Sequence, residues 1–169
     1  MDMRHTSLRA AFLQDHRKMT KGFYRLGQKL EADDWTEARR IALAIDRDVG
    51  PHIEFEETVY YPRLVPIVGA ANVDMMYAEH GIGLRLIQDL SSAGSTPPDG
   101  AVMADLTDRC HTMLEHAKSC GTLLSHLTAL PPDEQNELLA RLEHIRELGR
   151  SWSELADREE SRALDSHVN

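Results

Sequence analysis

His52 and Glu56 stand four residues apart in the run Pro51-His-Ile-Glu-Phe-Glu-Glu-Thr-Val-Tyr-Tyr-Pro62. On an α-helix that spacing puts two side chains about 40° apart around the axis and one turn apart along it. An imidazole and a carboxylate then point into the same space, a donor pair suited to iron, manganese or zinc. The same spacing also produces ordinary His–Glu surface pairs. What separates the two cases is whether other donors converge on the same place, and His16, His80 and His116 are the histidines in position to do so.

The hydrophobic period is helical almost throughout, with no strand alternation. A first helix is predicted over 6–31, with the stripe Phe12, His16, Met19, Phe23, Leu26, Leu30. A second is predicted over 34–61, with Asp34 as N-cap, Glu37 at the capping-box position and the stripe Ala38, Ala42, Ile45, Val49, His52, Glu56, Val59. Gly50-Pro51 should kink it, and Pro62 and Pro66 should end it. A third covers 73–91 with Val73, Met76, His80, Gly83, Ile87 and Leu90. After a loop rich in Gly, Ser and Pro, a fourth covers 100–129 with Val102, Leu106, Arg109, Met113, His116, Cys120, Leu123 and Leu127. A fifth, over 133–158, carries Leu138, Leu142, Ile145, Trp152 and Leu155, and the last ten residues read as a frayed polar tail.

Four long helices with short connections predict an all-α, up-down-up-down four-helix bundle over 1–132. Residues 133–169 supply an additional C-terminal helix and tail, packed on the bundle or extending from it. Each of His16, His52, His80 and His116 lies on the apolar stripe of a different bundle helix. Counted from the shared turns at about 1.5 Å per residue, their depths match within about 6 Å. The four imidazoles therefore fall in one layer, with Glu56 one turn away. A single core histidine is usually just a hydrogen-bonded core residue. Four in one layer with a carboxylate would cost several kcal/mol to bury without partners. A metal removes that cost by giving each lone pair a ligand role.

Composition narrows the partners. A chain of 169 residues is long enough for one real core. A formal net charge of −9 argues against nucleic acid and anionic membranes. No apolar run approaches the roughly 18–20 residues of a membrane span. Cys110 and Cys120, ten residues apart on one predicted helix, would stand about 15 Å apart and form no disulfide. With no apolar signal core behind Met-Asp-Met-Arg-His, the expectation is a cytoplasmic protein with reduced thiols.

Taken together, Asp15-His16, His52-xxx-Glu56-Glu57 followed by Tyr60-Tyr61-Pro62, Glu79-His80 and Glu115-His116 resemble the hemerythrin-like, HHE cation-binding family over about residues 6–130. The resemblance implies a four-helix bundle holding non-haem iron, usually two ions. It also implies functions in dioxygen carriage, oxygen or iron sensing, nitric oxide handling or repair of iron centres. The chain departs from the family at three positions. Cys120 stands where the family has a glutamate that commonly bridges the irons, Leu84 where some members have a second histidine, and Ile53 where some relatives have a glutamate. The ligand inventory is thus His16, His52, Glu56, His80 and His116, with Cys120 open to three readings. It is a thiolate ligand, a redox-reactive thiol beside the metal, or a small buried residue left where a ligand was lost.

The expected cofactor is one or two iron ions, with zinc as the alternative, and the expected small ligand is dioxygen, peroxide or nitric oxide. Any sensing output would pass through a protein partner or a homo-oligomer. A different class of reading is a degenerate member with one metal or none, acting as a structural or interaction module. The C-terminal helix with Trp152 would then be either the interaction surface or a cap on the bundle. Enzymatic use of the metal is a third reading, and no motif names a substrate.

Glu57, Glu79 and Glu115 adjoin ligand positions but point about 100° away, which suits them to back a ligand or to face water. His111 is about 140° off the face of His116. His5, His126, His144 and His167 read as surface or packing residues, and the methionines mainly as core. Tyr60-Tyr61 is expected to close one end of the bundle, with a phenol near the metal as the other reading.

Overall fold

The computed structural model describes residues 7–157, and no strand forms among them. Helix α1 spans Leu8–Glu31, α2 Trp35–Phe55, α3 Tyr61–Val68, α4 Ala70–Ser92, α5 Gly100–Thr122, α6 Ser125–Thr128 and α7 Pro132–Leu148. Helix α1 packs on α2 and α5, and α4 packs on α2 and α5, so the four long helices form a closed ring of neighbours. Helix α7 lies outside that ring against α2 and α1. No helix among the described residues is long and apolar enough to cross a membrane.

Local chemistry sets the starts. Ser7 Oγ accepts from the Ala10 N–H, Asp34 from the Glu37 N–H, and Asp99 from the N–H groups of Ala101 and Val102. Each satisfies donors that a helix N-terminus leaves open. The ends depart from expectation in three places. The second helix does not stop at Pro62. It passes through one wide π turn, Glu56–Tyr60, into α3, and Pro62 sits in the first turn of α3, where its missing N–H is harmless. The fourth helix stops at Thr122 rather than 129, because Leu123 and Leu124 tighten into bonds to the carbonyls three residues back. The fifth stops at Leu148, capped by Gly149 in the left-handed region (φ 58°). The tail beyond residue 157, with His167, and His5 at the other end lie outside the described residues.

The core divides in two along the bundle. One cluster gathers Met19, Phe23, Leu26, Ile45, Val49, Leu86, Met113 and Trp152 among others. The other gathers Phe12, Phe55, Val59, Tyr60, Tyr61, Met76, Leu124, Leu142 and Ile145 among others. On two of the helices the histidine lies between the clusters in sequence, His16 between Phe12 and Met19 and His80 between Met76 and Leu86. Two expected stripe positions are not core: Val102 is exposed and Arg109 pairs with Asp89 and Asp105 at the surface.

After Gly149 the chain turns back onto the bundle. Trp152 is 3% exposed, and its ring meets Phe23 edge-on at 6.4 Å and His80 at 6.0 Å. It fits against Gly83, where an added Cβ would meet its Cη2 at 2.6 Å. Arg150 pairs with Glu54, the Ser153 N–H donates to Asp46 Oδ1 at 2.8 Å, and Arg146 of α7 pairs with Asp15 of α1 at 2.8 Å. Trp152 is thus a cap on the bundle, and an interaction surface built on its side chain is ruled out by its burial.

Candidate metal centre

Glu56 is fully buried, and its two carboxylate oxygens face opposite sets of donors. Oε1 lies 3.3 Å from His52 Nε2 and accepts from Cys120 Sγ at 2.7 Å. Oε2 lies 3.3 Å from His80 Nε2 and accepts from the Tyr61 hydroxyl at 3.4 Å. On that second side His80 Nε2 and His116 Nε2 approach to 3.0 Å, and the Tyr61 oxygen is 2.9 Å from the first and 3.2 Å from the second. Ligand atoms of Glu56, His116 and Cys120 lie within 4.8 Å of one another. His16 stands against His52 with ring centroids 5.7 Å apart. Its ring can come this close to α5 because position 121 is glycine, where a Cβ would sit 3.3 Å from His16 Cε1.

All six residues singled out by spacing are therefore brought to one level of the bundle. His52, Glu56, His80, His116 and Cys120 are buried, while His16 is half-buried with its Nε2 inside. His111 is on the surface beside Glu31, as its helical angle implied, and His144 is exposed beside Glu147.

Three further residues belong to the cluster. Glu57 of the π turn accepts from or pairs with His80 Nδ1 at 2.8 Å, and Glu79 of α4 does the same for His116 Nδ1 at 2.7 Å. Each carboxylate thus backs a histidine on a neighbouring helix, fixing its ring and leaving Nε2 as the inward donor. Glu115 instead pairs with Lys118 at the surface. The third is Tyr61, expected either to close the end of the bundle or to bring a phenol near the metal, and its hydroxyl lies inside the cluster. Its N–H bonds the Glu56 carbonyl five residues back, so the π turn carries its side chain beneath Glu56. At ordinary helical pitch it would point about 140° away.

The donors fit a metal. Ligands on an ion held at about 2.1 Å stand roughly 3.0–3.4 Å from each other in octahedral or tetrahedral arrangement. The contacts of His80 Nε2 with His116 Nε2, at 3.0 Å, and with Glu56 Oε2, at 3.3 Å, fall in that range. Nδ1 of His52 and Nε2 of His16 are buried with no hydrogen-bond partner, and His52 Nε2 has only its 3.3 Å approach to Glu56 Oε1. Buried polar atoms are almost always paired, so two orphaned imidazole nitrogens beside a buried carboxylate call for a ligand role.

Electrostatics agree. Burial alone would raise the Glu56 carboxyl, yet His52 and His80 hold it well below the usual carboxylate range. Burial would lower His80, but its bonds to Glu56 and Glu57 push it up to about 9. Burial and the neighbouring His80 lower His116, since two cations will not share this space. Burial, then His52, lowers His16. Burial and the Glu56 charge push the Cys120 thiol well up.

One approach reaches the cluster from outside. A cavity of about 200 Å³ is lined by Glu57, Tyr77, His80, Gly81, Leu84 and, from the returning C-terminal segment, Trp152 and Leu155.

A family model for the hemerythrin HHE cation binding domain matches residues 7–119. No curated protein and no solved structure shows a significant match to the chain.

Proposed function

The chain belongs to the hemerythrin HHE cation-binding family, and from that premise we propose that its buried cluster holds non-haem iron, two ions bridged by Glu56, and binds dioxygen, peroxide or nitric oxide. The observation that carries this reading is the division of Glu56. One oxygen faces His52 and the other faces His80, each at 3.3 Å. Iron in such a setting supplies open positions at which a small oxidant or gas is held or reduced.

The chain's own residues do the rest. Glu57 and Glu79 hold His80 and His116 in register. The Tyr61 hydroxyl offers a hydrogen bond inside the cluster. The two apolar clusters on either side exclude bulk water. A cavity of about 200 Å³ against His80 is small beside the roughly 300–1,000 Å³ of pockets that take larger organic ligands. It favours a ligand of a few atoms, and so a binding protein over an enzyme with an organic substrate.

The test is elemental analysis of protein purified without an affinity metal, with an optical spectrum of the same sample. The expected result is about two irons per chain and iron-dependent colour that changes when nitric oxide is added without air. Protein that takes up no iron when offered Fe(II) anaerobically overturns the reading. The close set of Glu56, His116 and Cys120 favours a second reading, a single structural ion such as zinc. One equivalent of metal and a colourless protein select it.

Two further outcomes follow from the site. Glu79→Gln keeps the shape but weakens the grip on His116 Nδ1, and metal affinity should fall about 10–100-fold. Glu57→Gln should do the same through His80. Competition with a chelator of known affinity measures both, and unchanged affinity in the pair removes their assigned role.

The pH dependence of the metal-free protein is set by His80, raised from an ordinary 6.5 to about 9. Its pairing with Glu56 and Glu57 contributes stability in full below pH 6.5 and loses it as pH rises through about 9. The lowered His16 and His116 lose stability only as pH falls below 6.5, outside that window. A metal takes the neutral imidazole. Metal-free Tm should therefore decline between pH 6.5 and 9 while the rise in Tm on adding metal grows. Parallel melting curves with and without metal check this, and a rise in Tm on metal addition that shrinks with pH contradicts it.

A further inference from the structure

We infer that Cys120 is a thiolate ligand of the centre, so that one half of the site binds metal through sulfur and the other through nitrogen and oxygen only. This rests on the metal-centre reading above and goes beyond it by assigning the two halves different chemistry.

Helix α5 repeats the spacing that α2 uses. His116 and Cys120 are four apart, as His52 and Glu56 are, so the sulfur occupies the position across the bundle that a second carboxylate would. Cys120 Sγ is fully buried and touches Glu56 Oε1 at 2.7 Å. That same oxygen is the one 3.3 Å from His52 Nε2. His52 is 1% exposed and its Nδ1 lacks a hydrogen-bond partner. His16, with its own orphaned Nε2, packs against the adjacent Gly121 and against His52. Ligand atoms of Cys120, Glu56 and His116 lie within 4.8 Å of one another, so the sulfur is the donor that completes a set with an imidazole and a carboxylate. His52 and His16 stand together beside Glu56 Oε1 and offer the other half nitrogen and oxygen donors only.

The chain supplies its own contrast. Cys110 is equally buried, but its Sγ donates to the Phe23 carbonyl at 3.1 Å, inside the apolar cluster. Burial alone does not bring a cysteine to the donors. When a metal binds, the Cys120 thiol proton is displaced to solvent and the sulfur–metal bond takes its place. A thiolate shifts that half toward zinc, cobalt or iron(II), while nitrogen and oxygen donors hold the other half open to harder ions.

The test uses the full chain loaded with zinc. Zinc content is measured first, then X-ray absorption at the zinc edge, for the wild type, Cys110→Ser and Cys120→Ser. The inference expects a sulfur shell at about 2.3 Å in the wild type and in Cys110→Ser. It expects loss of that shell in Cys120→Ser. Zinc bound with a nitrogen–oxygen shell alone in the wild type overturns the thiolate and leaves the metal centre standing. Wild-type protein that binds no zinc and no iron overturns both. If Cys120→Ser does not fold, the shell retained or lost in Cys110→Ser still decides, because the chain has only these two cysteines.

Discussion

Glu56→Gln is expected to strip the centre of metal, with affinity falling by more than the roughly 100-fold that loss of a residue behind a ligand produces. The reason is geometric. Every donor set in the cluster is organised on one of the two Glu56 oxygens, at 3.3 Å from His52 and 3.3 Å from His80. The amide keeps the volume but replaces one oxygen with a donor NH₂ that cannot ligate. It also removes the negative charge that a cation between these histidines would meet. The fold should survive, because His80 keeps Glu57 on its Nδ1 at 2.8 Å and is not left as an unpaired buried charge. Glu56→Ala should lose metal as completely and add the destabilisation of a cavity. Elemental analysis of both variants, with circular dichroism to certify folding, is the measurement. Folded variants with full metal content would falsify the central role given to this carboxylate.

What the sequence disclosed about this site, and what it hid, follows from the difference between period and path. A stripe of apolar residues at helical spacing is a direct consequence of burying one face. Reading His16, His52, His80 and His116 as residues within four such stripes was therefore enough to bring them to one level. Cys120 was legible by the same rule. Tyr61 entered only through the alternative of a phenol near the metal, since a residue five after Glu56 faces away at regular pitch, and only the wide turn from Glu56 to Tyr60 brings it under the carboxylate. A π turn has no simple sequence signature, and the prolines at 51 and 62 pointed only to a kink before it and a stop after it. Glu57 and Glu79 were seen as neighbours of ligands on their own helices. Their partners, His80 and His116, are on other helices, and that depends on how neighbouring helices sit against each other. Helix ends were overrun wherever the stripe continued past the last regular hydrogen bond, as at Leu123 and Leu124, because packing preserves the pattern while the backbone changes hand-hold.

Gly50→Ala should destabilise the protein, and here the local and the tertiary arguments have opposite signs. Gly50 lies inside α2, and glycine in a helix interior is about 1 kcal/mol less favourable than alanine. On propensity alone the substitution stabilises. In the fold, an added Cβ would stand 2.1 Å from the Arg150 carbonyl oxygen, 2.7 Å from the Ser151 carbonyl carbon and 2.8 Å from the Trp152 nitrogen. All three are backbone atoms, so no side chain can swing aside to make room. The returning segment has to lift, and with it go the burial of Trp152, the Arg150–Glu54 pair and the Ser153–Asp46 bonds. Losing a buried tryptophan alone removes about 3–5 kcal/mol, which outweighs the propensity gain severalfold. Tm should therefore fall, and a protease should cut after α7 far faster than in the wild type. The consequence reaches the site, because Trp152 packs on His80 and walls the cavity beside it. Metal-loaded Gly50→Ala should lose its metal to a chelator faster than wild type does. A variant that melts higher and keeps its tail protected would mean that α2 is glycine-tolerant at this point rather than glycine-dependent. A variant that melts lower but releases metal at the wild-type rate would separate the cap from the centre it covers.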